Sequence, residues 1–216
     1  MKYYHPALMF LSQDPEENAR LLTNFWLDKQ IDHLANILFD VLYYCVGVRS
    51  KRAFKFYFSR DKREESLNKF FPTIPTSVIP PFLFYSSVEA KWARKCGEHY
   101  MLLSRHLEYA CLEYVYRFDR SHPVEIMVPW FLGEPIQLGL QNISFPMVGL
   151  KTIVLPYRNL PPKYRRRDIV QGYREYFASL VNDPMSEYLD AKREVPEFLL
   201  KAKGYAAGEI LFDRGN

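Results

Sequence analysis

Apolar residues recur at alternating steps of four and three through Leu27, Ile31, Leu34, Leu38, Val41 and Cys45, the stripe of an amphipathic helix. Its start is marked upstream at Asp14-Pro15-Glu16-Glu17, where Asp14 can cap, Pro15 can take the first helical position, and two carboxylates face the positive end of the helix dipole. Gly47 supplies the stop. The pattern predicts one helix over 15–46, with Asp28, Asp32, His33, Asn36 and Asp40 beside the apolar stripe. A second helix is predicted from the capping box Ser86-Ser87-Val88-Glu89 to about Phe118. It carries large apolar groups on nearly every face (Trp92, Tyr100, Leu103, Leu107, Cys111, Tyr114), which predicts a central helix covered on most sides. One row interrupts that face: Trp92, His99, His106 and Glu113 are spaced by seven, with Arg117 one turn further on.

Two shorter helices are predicted later, one capped by Asp168 and reaching about Val181, the other opened by Asp183-Pro184. Prolines punctuate 72–81 and 123–162, which predicts loops with short extended pieces at 143–145 and 152–155; Phe54-Lys55-Phe56 alternates as a strand does. The expected fold is mainly α: a single-domain helical bundle over 1–200 built around two long helices, with short extended segments, proline-rich loops and a C-terminal tail over 201–216.

Composition narrows the class. The 216 residues are 48% hydrophobic and 16% aromatic, which excludes disorder of the whole chain, and no apolar run reaches the roughly 18 residues of a membrane span. The opening residues lack the pattern of a signal peptide, so the expected location is the cytoplasm. Cys45, Cys96 and Cys111 form no C-x-x-C pair and have no histidine at ligand spacing; they are expected to be reduced and structural, and neither a metal nor a cofactor is implied.

Net charge is only +4, but it is unevenly placed. Residues 1–48 hold three positive and six negative side chains, whereas 49–70 hold eight positive (Arg49, Lys51, Arg52, Lys55, Arg60, Lys62, Arg63, Lys69) against three negative. Phe54, Phe56, Tyr57 and Phe58 lie among them, and Arg165-Arg166-Arg167 forms a second basic run. Basic groups interleaved with rings can grip phosphates and stack on bases, or can be a solvated loop whose rings point into the core. No glycine-rich phosphate loop, G-x-S-x-G elbow or H-E-x-x-H pair occurs.

Several pieces occur in a recognisable order: Asp14-Pro15, Asp28-Lys29-Gln30-Ile31, Trp92-Ala93-Arg94, Glu113-Tyr114 with Arg117 and His122, Leu155-Pro156 to Tyr164, and Tyr173-Arg174-Glu175-Tyr176-Phe177. Together they resemble a widespread family of uncharacterised bacteriophage proteins, some of which are similar to pyrimidine-dimer DNA glycosylases. The resemblance implies a nucleic-acid-binding protein, DNA favoured, in a phage-infected cell, with glycosylase-like action on damaged or modified pyrimidines. Its alternative is a non-catalytic protein that binds a host or phage protein through an aromatic and basic surface. Two departures stand out: Gln30 occupies the family's histidine position, and Ile37 falls where an acidic residue is expected, leaving His33 and Asp40 as the nearest substitutes.

The candidate catalytic groups are therefore Asp28, His33 and Asp40 on the first helix and Glu113 with Arg117 on the second. A glycosylase needs a carboxylate to stabilise charge developing on the sugar and cations to hold the flipped strand. Against this, mixed charges beside an apolar stripe are ordinary amphipathicity, so the first set reads first as a solvated helix flank, and the second as a satisfied network joining helices. Seven-residue spacing puts His99 and His106 about 10 Å apart along the axis, too far to share one ion.

Overall fold

A computed structural model describes residues 8–45, 88–95, 97–133, 155 and 160–205. The fold is mainly α, and no strand occurs among the described residues. The α-helices are α1 (Pro15–Leu21), α2 (Asn24–Cys45), α3 (Val88–Ala93), α4 (Gly97–Phe118), α5 (Val128–Gly133), α6 (Ile169–Leu180), α7 (Pro184–Asp190) and α8 (Glu197–Ala202). Short 3-10 turns occupy Pro123–Met127 and Pro162–Tyr164. No described helix is long and apolar enough to cross a membrane.

Both long predicted helices are divided. The first begins as expected, with Asp14 Oδ1 accepting from Glu17 N at 2.7 Å, but it stops at Leu21 and restarts at Asn24. Leu22 is extended and fully buried, so its side chain anchors the core while the axis changes direction. Thr23-Asn24, both good helix-starting residues, is the sequence signal for that restart. The second divides between Ala93 and Gly97, where glycine interrupts the apolar pattern. The caps at Asp168 and Asp183 are formed, each side chain accepting two backbone amides of the next turn. Beyond α7, Lys201 and Ala202 belong to α8, so the ordered helices extend past the predicted start of the tail at 201. The Ser86 cap, the strand at 54–56 and the extended pieces at 143–145 and 152–154 lie outside the described residues.

α2 packs chiefly against α4, and α1 also lies on α4. The stripe Leu27, Ile31, Leu34, Leu38 and Val41 is entirely buried, and every residue from Leu34 to Leu42 is buried as well. The second half of α2 is therefore enclosed, while its first turns keep Phe25, Asp28, Lys29 and Asp32 exposed. α4, expected to be covered on most sides, keeps an outer face with Met101, Arg105, Leu112 and Tyr116 exposed.

Leu8 to Leu11 pass through the interior with no exposed surface. This segment is not helical, so side chains must satisfy its backbone. Met9 N donates to Gln30 Oε1 (2.9 Å), and Met9 O accepts from Gln30 Nε2 and Asn18 Nδ2 (both 3.1 Å). Leu11 N donates to Asn18 Oδ1 (2.6 Å), and Arg174 Nε donates to Leu11 O (2.7 Å). Phe10 then inserts edge-on among Trp92, His106 and Tyr173.

Candidate functional site

Glu113, in the middle of the second predicted site, is 5% exposed and is gripped by two arginines. Arg117, one turn later on α4, donates through Nε to Oε1 at 2.7 Å. Arg193, from the segment after α7, donates through Nε to Oε1 (2.7 Å) and through Nη2 to Oε2 (2.6 Å), while its guanidinium stacks 4.0 Å from the Tyr116 ring. Burial acts to raise the Glu113 pKa, but hydrogen bonds from Arg193 and Arg117 outweigh it and hold the carboxyl below the ordinary glutamate value.

Arg117 uses its remaining N–H groups on the end of α1, donating to Leu22 O (2.7 Å), Ala19 O and Arg20 O (both 3.2 Å), and weakly to Asn24 Oδ1 (3.3 Å). Tyr188 Oη donates to Leu21 O. The carbonyls a helix leaves unpaired at its C-terminus are thus satisfied by side chains of α4 and α7. Glu113, Arg117, Arg193 and Tyr188 form a joint that fixes the α1–α2 break, and neither oxygen of Glu113 is left to meet a substrate. Arg193 and Tyr188 carry no local motif; their role is set by tertiary contact.

The first predicted site follows one ridge of α2. Asp28, Asp32, Asn36 and Asp40 succeed one another at four-residue intervals, the first two exposed and the last two buried. Asp28 Oδ1 lies 3.5 Å from His122 Nε2. His122 Nδ1 accepts from Val124 N (3.1 Å) as the cap of the following 3-10 turn, so the neutral ring carries its proton on Nε2, toward Asp28. Burial lowers the His122 pKa, opposed by the nearby charges of Asp32 and Asp28. This ring has a structural task at each nitrogen. His33 lies half-buried on the flank of the ridge.

Asp40 is different. It has no exposed surface, and both carboxyl oxygens lack hydrogen-bond partners. Burial raises its pKa from 3.8 to about 8, against the attraction of Arg94 near the end of α3. One turn earlier, Asn36 Nδ2 donates to Asp32 O at 2.7 Å. A carbonyl can only accept, so that bond fixes the amide's orientation and leaves Asn36 Oδ1 buried without a donor. Asp28 and Asp40 are about 18 Å apart along the helix. The candidates therefore occupy separate places: Glu113/Arg117 at the α1–α2 joint, Asp28 beside His122, and Asp40 near Arg94.

The two α4 imidazoles point to different surroundings. His99 stacks on Trp92 with centroids 4.0 Å apart, and its Nδ1–H donates to Trp92 O at 2.8 Å. His106 is 1% exposed, lies 5.3 Å from Phe10, and has no partner at either nitrogen; burial lowers its pKa to about 4. Among the described residues no group of three or more His, Cys, Asp and Glu could hold a metal. Cys111 is buried and free, and burial pushes its thiol up to about 12.

Of the basic candidates, Arg49, Lys51, Arg52, Lys55, Arg60, Lys62 and Arg63 lie outside the described residues. Arg165, Arg166 and Arg167 are all exposed, and so is Lys163, which the sequence reading did not single out. They leave the 3-10 turn that precedes α6, and the turn is held in place. Arg165 Nε donates to Leu160 O (2.9 Å), and Arg166 pairs with Glu175 across the first turns of α6 (2.7 Å). Gly172 lets the turn lie directly on α6: a Cβ there would sit 2.4 Å from Tyr164 O. Within residues 163–168 Asp168 is the one acidic residue beside four basic ones, and Glu175 from α6 pairs with one of them. Comparison with protein-family models, curated proteins and solved structures found no match to this chain.

Proposed function

We propose that this protein binds nucleic acid, with DNA as the favoured partner, by setting Lys163, Arg165, Arg166 and Arg167 against backbone phosphates, together with the basic residues of 49–63. The observation that carries this reading is the exposed turn: four cations within five residues, braced on α6 by Gly172, Leu160 O and Glu175. Phosphate contacts supply most of the affinity of such proteins, and a turn already held in position loses little side-chain entropy on binding. Base-releasing chemistry on damaged pyrimidines is the enzymatic form of the reading. Within it Asp28 and Asp40 are the carboxyls that remain, since Glu113 is saturated by Arg117 and Arg193.

Fluorescence anisotropy with labelled single- and double-stranded DNA, read across a salt series, tests the binding reading. Affinity should fall steeply as salt rises, and Arg165→Ala/Arg166→Ala/Arg167→Ala should weaken binding and flatten the slope. Binding that ignores salt, or survives the triple substitution unchanged, contradicts it.

A second reading, capture of a protein partner, is favoured by one feature. Leu112 (55% exposed) and Tyr116 (50% exposed) stand one turn apart on the outer face of α4, beside the Arg193 guanidinium. Aromatic, aliphatic and arginine side chains in that arrangement suit an interface core. Loss of a partner from pull-downs with Leu112→Glu, alongside unchanged DNA binding, would support it.

A further inference from the structure

A cleft of about 430 Å³, a volume suited to a small ligand, lies where the start of α2 meets the end of α6 and one face of α7. Thr23, Phe25 and Trp26 line it from the start of α2, Leu180 is the last residue of α6, and Glu187 and Asp190 come from α7, three residues apart and so on one side of that helix. Contacts outside the cleft hold these walls. Phe25 and Trp26 meet at 87° with ring centroids 5.6 Å apart, so they present two perpendicular surfaces. Trp26 packs edge-on against buried Phe177, and Asn24 Nδ2 donates to Asp190 O at 3.1 Å, tying the acidic wall to the aromatic one.

Thr23 is 1% exposed, so among the lining residues it forms the back of the cleft, while exposed Phe25 and Asp190 form its rim. Its Oγ1 caps no amide of α2 and has no other partner. Buried hydroxyls are almost always paired, and this one stands where a ligand can supply the missing bond.

Charge narrows the class of ligand. The lining holds two carboxylates and neither Lys nor Arg, and among the described residues neither carboxylate forms an ion pair. The N-terminus of α2 opens beside them with only about half a positive charge, which two full negative charges outweigh. Ring faces attract cations, and Phe25 already does so: Lys29, which is not a lining residue, sets its ammonium 4.7 Å from the ring centroid. A hydroxyl and two carboxylates together accept N–H groups.

We propose that this cleft binds a small organic ammonium ion, its N–H groups donating to Glu187, Asp190 and Thr23 Oγ1 and its apolar body lying among Phe25, Trp26 and Leu180. No residue of the 163–167 turn takes part, so the site stands independently of nucleic-acid binding.

Isothermal titration calorimetry of the full chain tests this with phenethylammonium and three probes that keep its phenyl body. Phenylethanol is neutral, phenylpropionate is anionic, and the trimethylated ammonium keeps the charge without an N–H. Phenethylammonium should bind, with the alcohol and the trimethylated ion each weaker by about tenfold, the scale of a lost hydrogen bond to a charged group. Phenylpropionate should not bind detectably. Glu187→Gln should weaken phenethylammonium by about tenfold and Phe25→Ala by about threefold, and Thr23→Val, which keeps the shape of the side chain, should narrow the gap between the primary and trimethylated ions. Circular dichroism and thermal unfolding establish that the variants are folded; Phe25, at 60% exposure, supports no core packing that its loss would collapse. Undetectable phenethylammonium binding at millimolar concentration would overturn the proposal. So would equal binding of the alcohol, the propionate or the trimethylated ion, or an affinity unchanged by Glu187→Gln and Phe25→Ala.

Discussion

Asp40 and His106 are buried in the same fold with opposite consequences for its pH stability, and replacing Asp40 separates them. The folded Asp40 carboxyl titrates at about 8 rather than 3.8. Between those values the folded state keeps a proton that the unfolded chain releases, so stability falls as pH rises. At about 1.4 kcal/mol per pH unit, the full window of roughly four units amounts to about 6 kcal/mol. His106 titrates at about 4 when folded and 6.5 when unfolded, so the unfolded chain holds the extra proton and stability rises with pH over that range, by about 3 kcal/mol. From about pH 4 to 6.5 the two slopes cancel. His99 and His122, whose pKa values are also lowered by burial, then tilt the balance toward loss on acidification. Above 6.5 Asp40 acts alone and removes about 2 kcal/mol by pH 8.

The wild-type protein should therefore be most stable near pH 6.5 in urea unfolding. Asp40→Asn should lose the decline above pH 6.5 and show a steeper rise below it. If the wild type and Asp40→Asn trace parallel curves from pH 4 to 8, Asp40 is not the buried neutral acid described here.

Other consequences are more local. Arg117→Ala leaves Glu113 facing Arg193 alone and strips donors from the end of α1, so urea unfolding should show a loss of about 3–5 kcal/mol, whereas Arg193→Ala, at the partly exposed edge, should cost less. Gln30→Leu orphans the Met9 amide and leaves its carbonyl with Asn18 alone, and should lower stability by about 1–3 kcal/mol, with faster hydrogen exchange at Met9 as the specific readout. Gly172→Val, which removes no charge, should push the 163–167 turn off α6 and weaken DNA binding in the anisotropy assay; unchanged affinity would mean that the position of the turn is immaterial.

Local signals in the sequence marked what local chemistry decides. Asp14, Asp168 and Asp183 cap the helices assigned to them because an N-cap bond spans only two or three residues. The α2 stripe is buried as its period requires. Both helix breaks were legible too, at Thr23-Asn24 and Gly97, but the continuous apolar pattern on either side outweighed them. The site residues were harder to read because their meaning lies in distant partners. Glu113 and Arg117 show an ordinary four-residue spacing, and only Arg193, eighty residues away, makes them a closed network. Gln30 lies on the α2 face that pairs with Met9, a task invisible without the buried segment around Met9. Asp40 read as one acid on a mixed flank; its isolation comes from the helices packed around it.

A salt series on DNA binding tests most directly the proposal that the braced basic turn grips nucleic acid. For duplex DNA each phosphate contact contributes about 0.9 to the slope of log affinity against log salt, so removing Arg165, Arg166 and Arg167 together should flatten that slope by about 2 to 3. A slope unchanged by the triple substitution, or no salt-dependent binding in the wild type, would contradict the account.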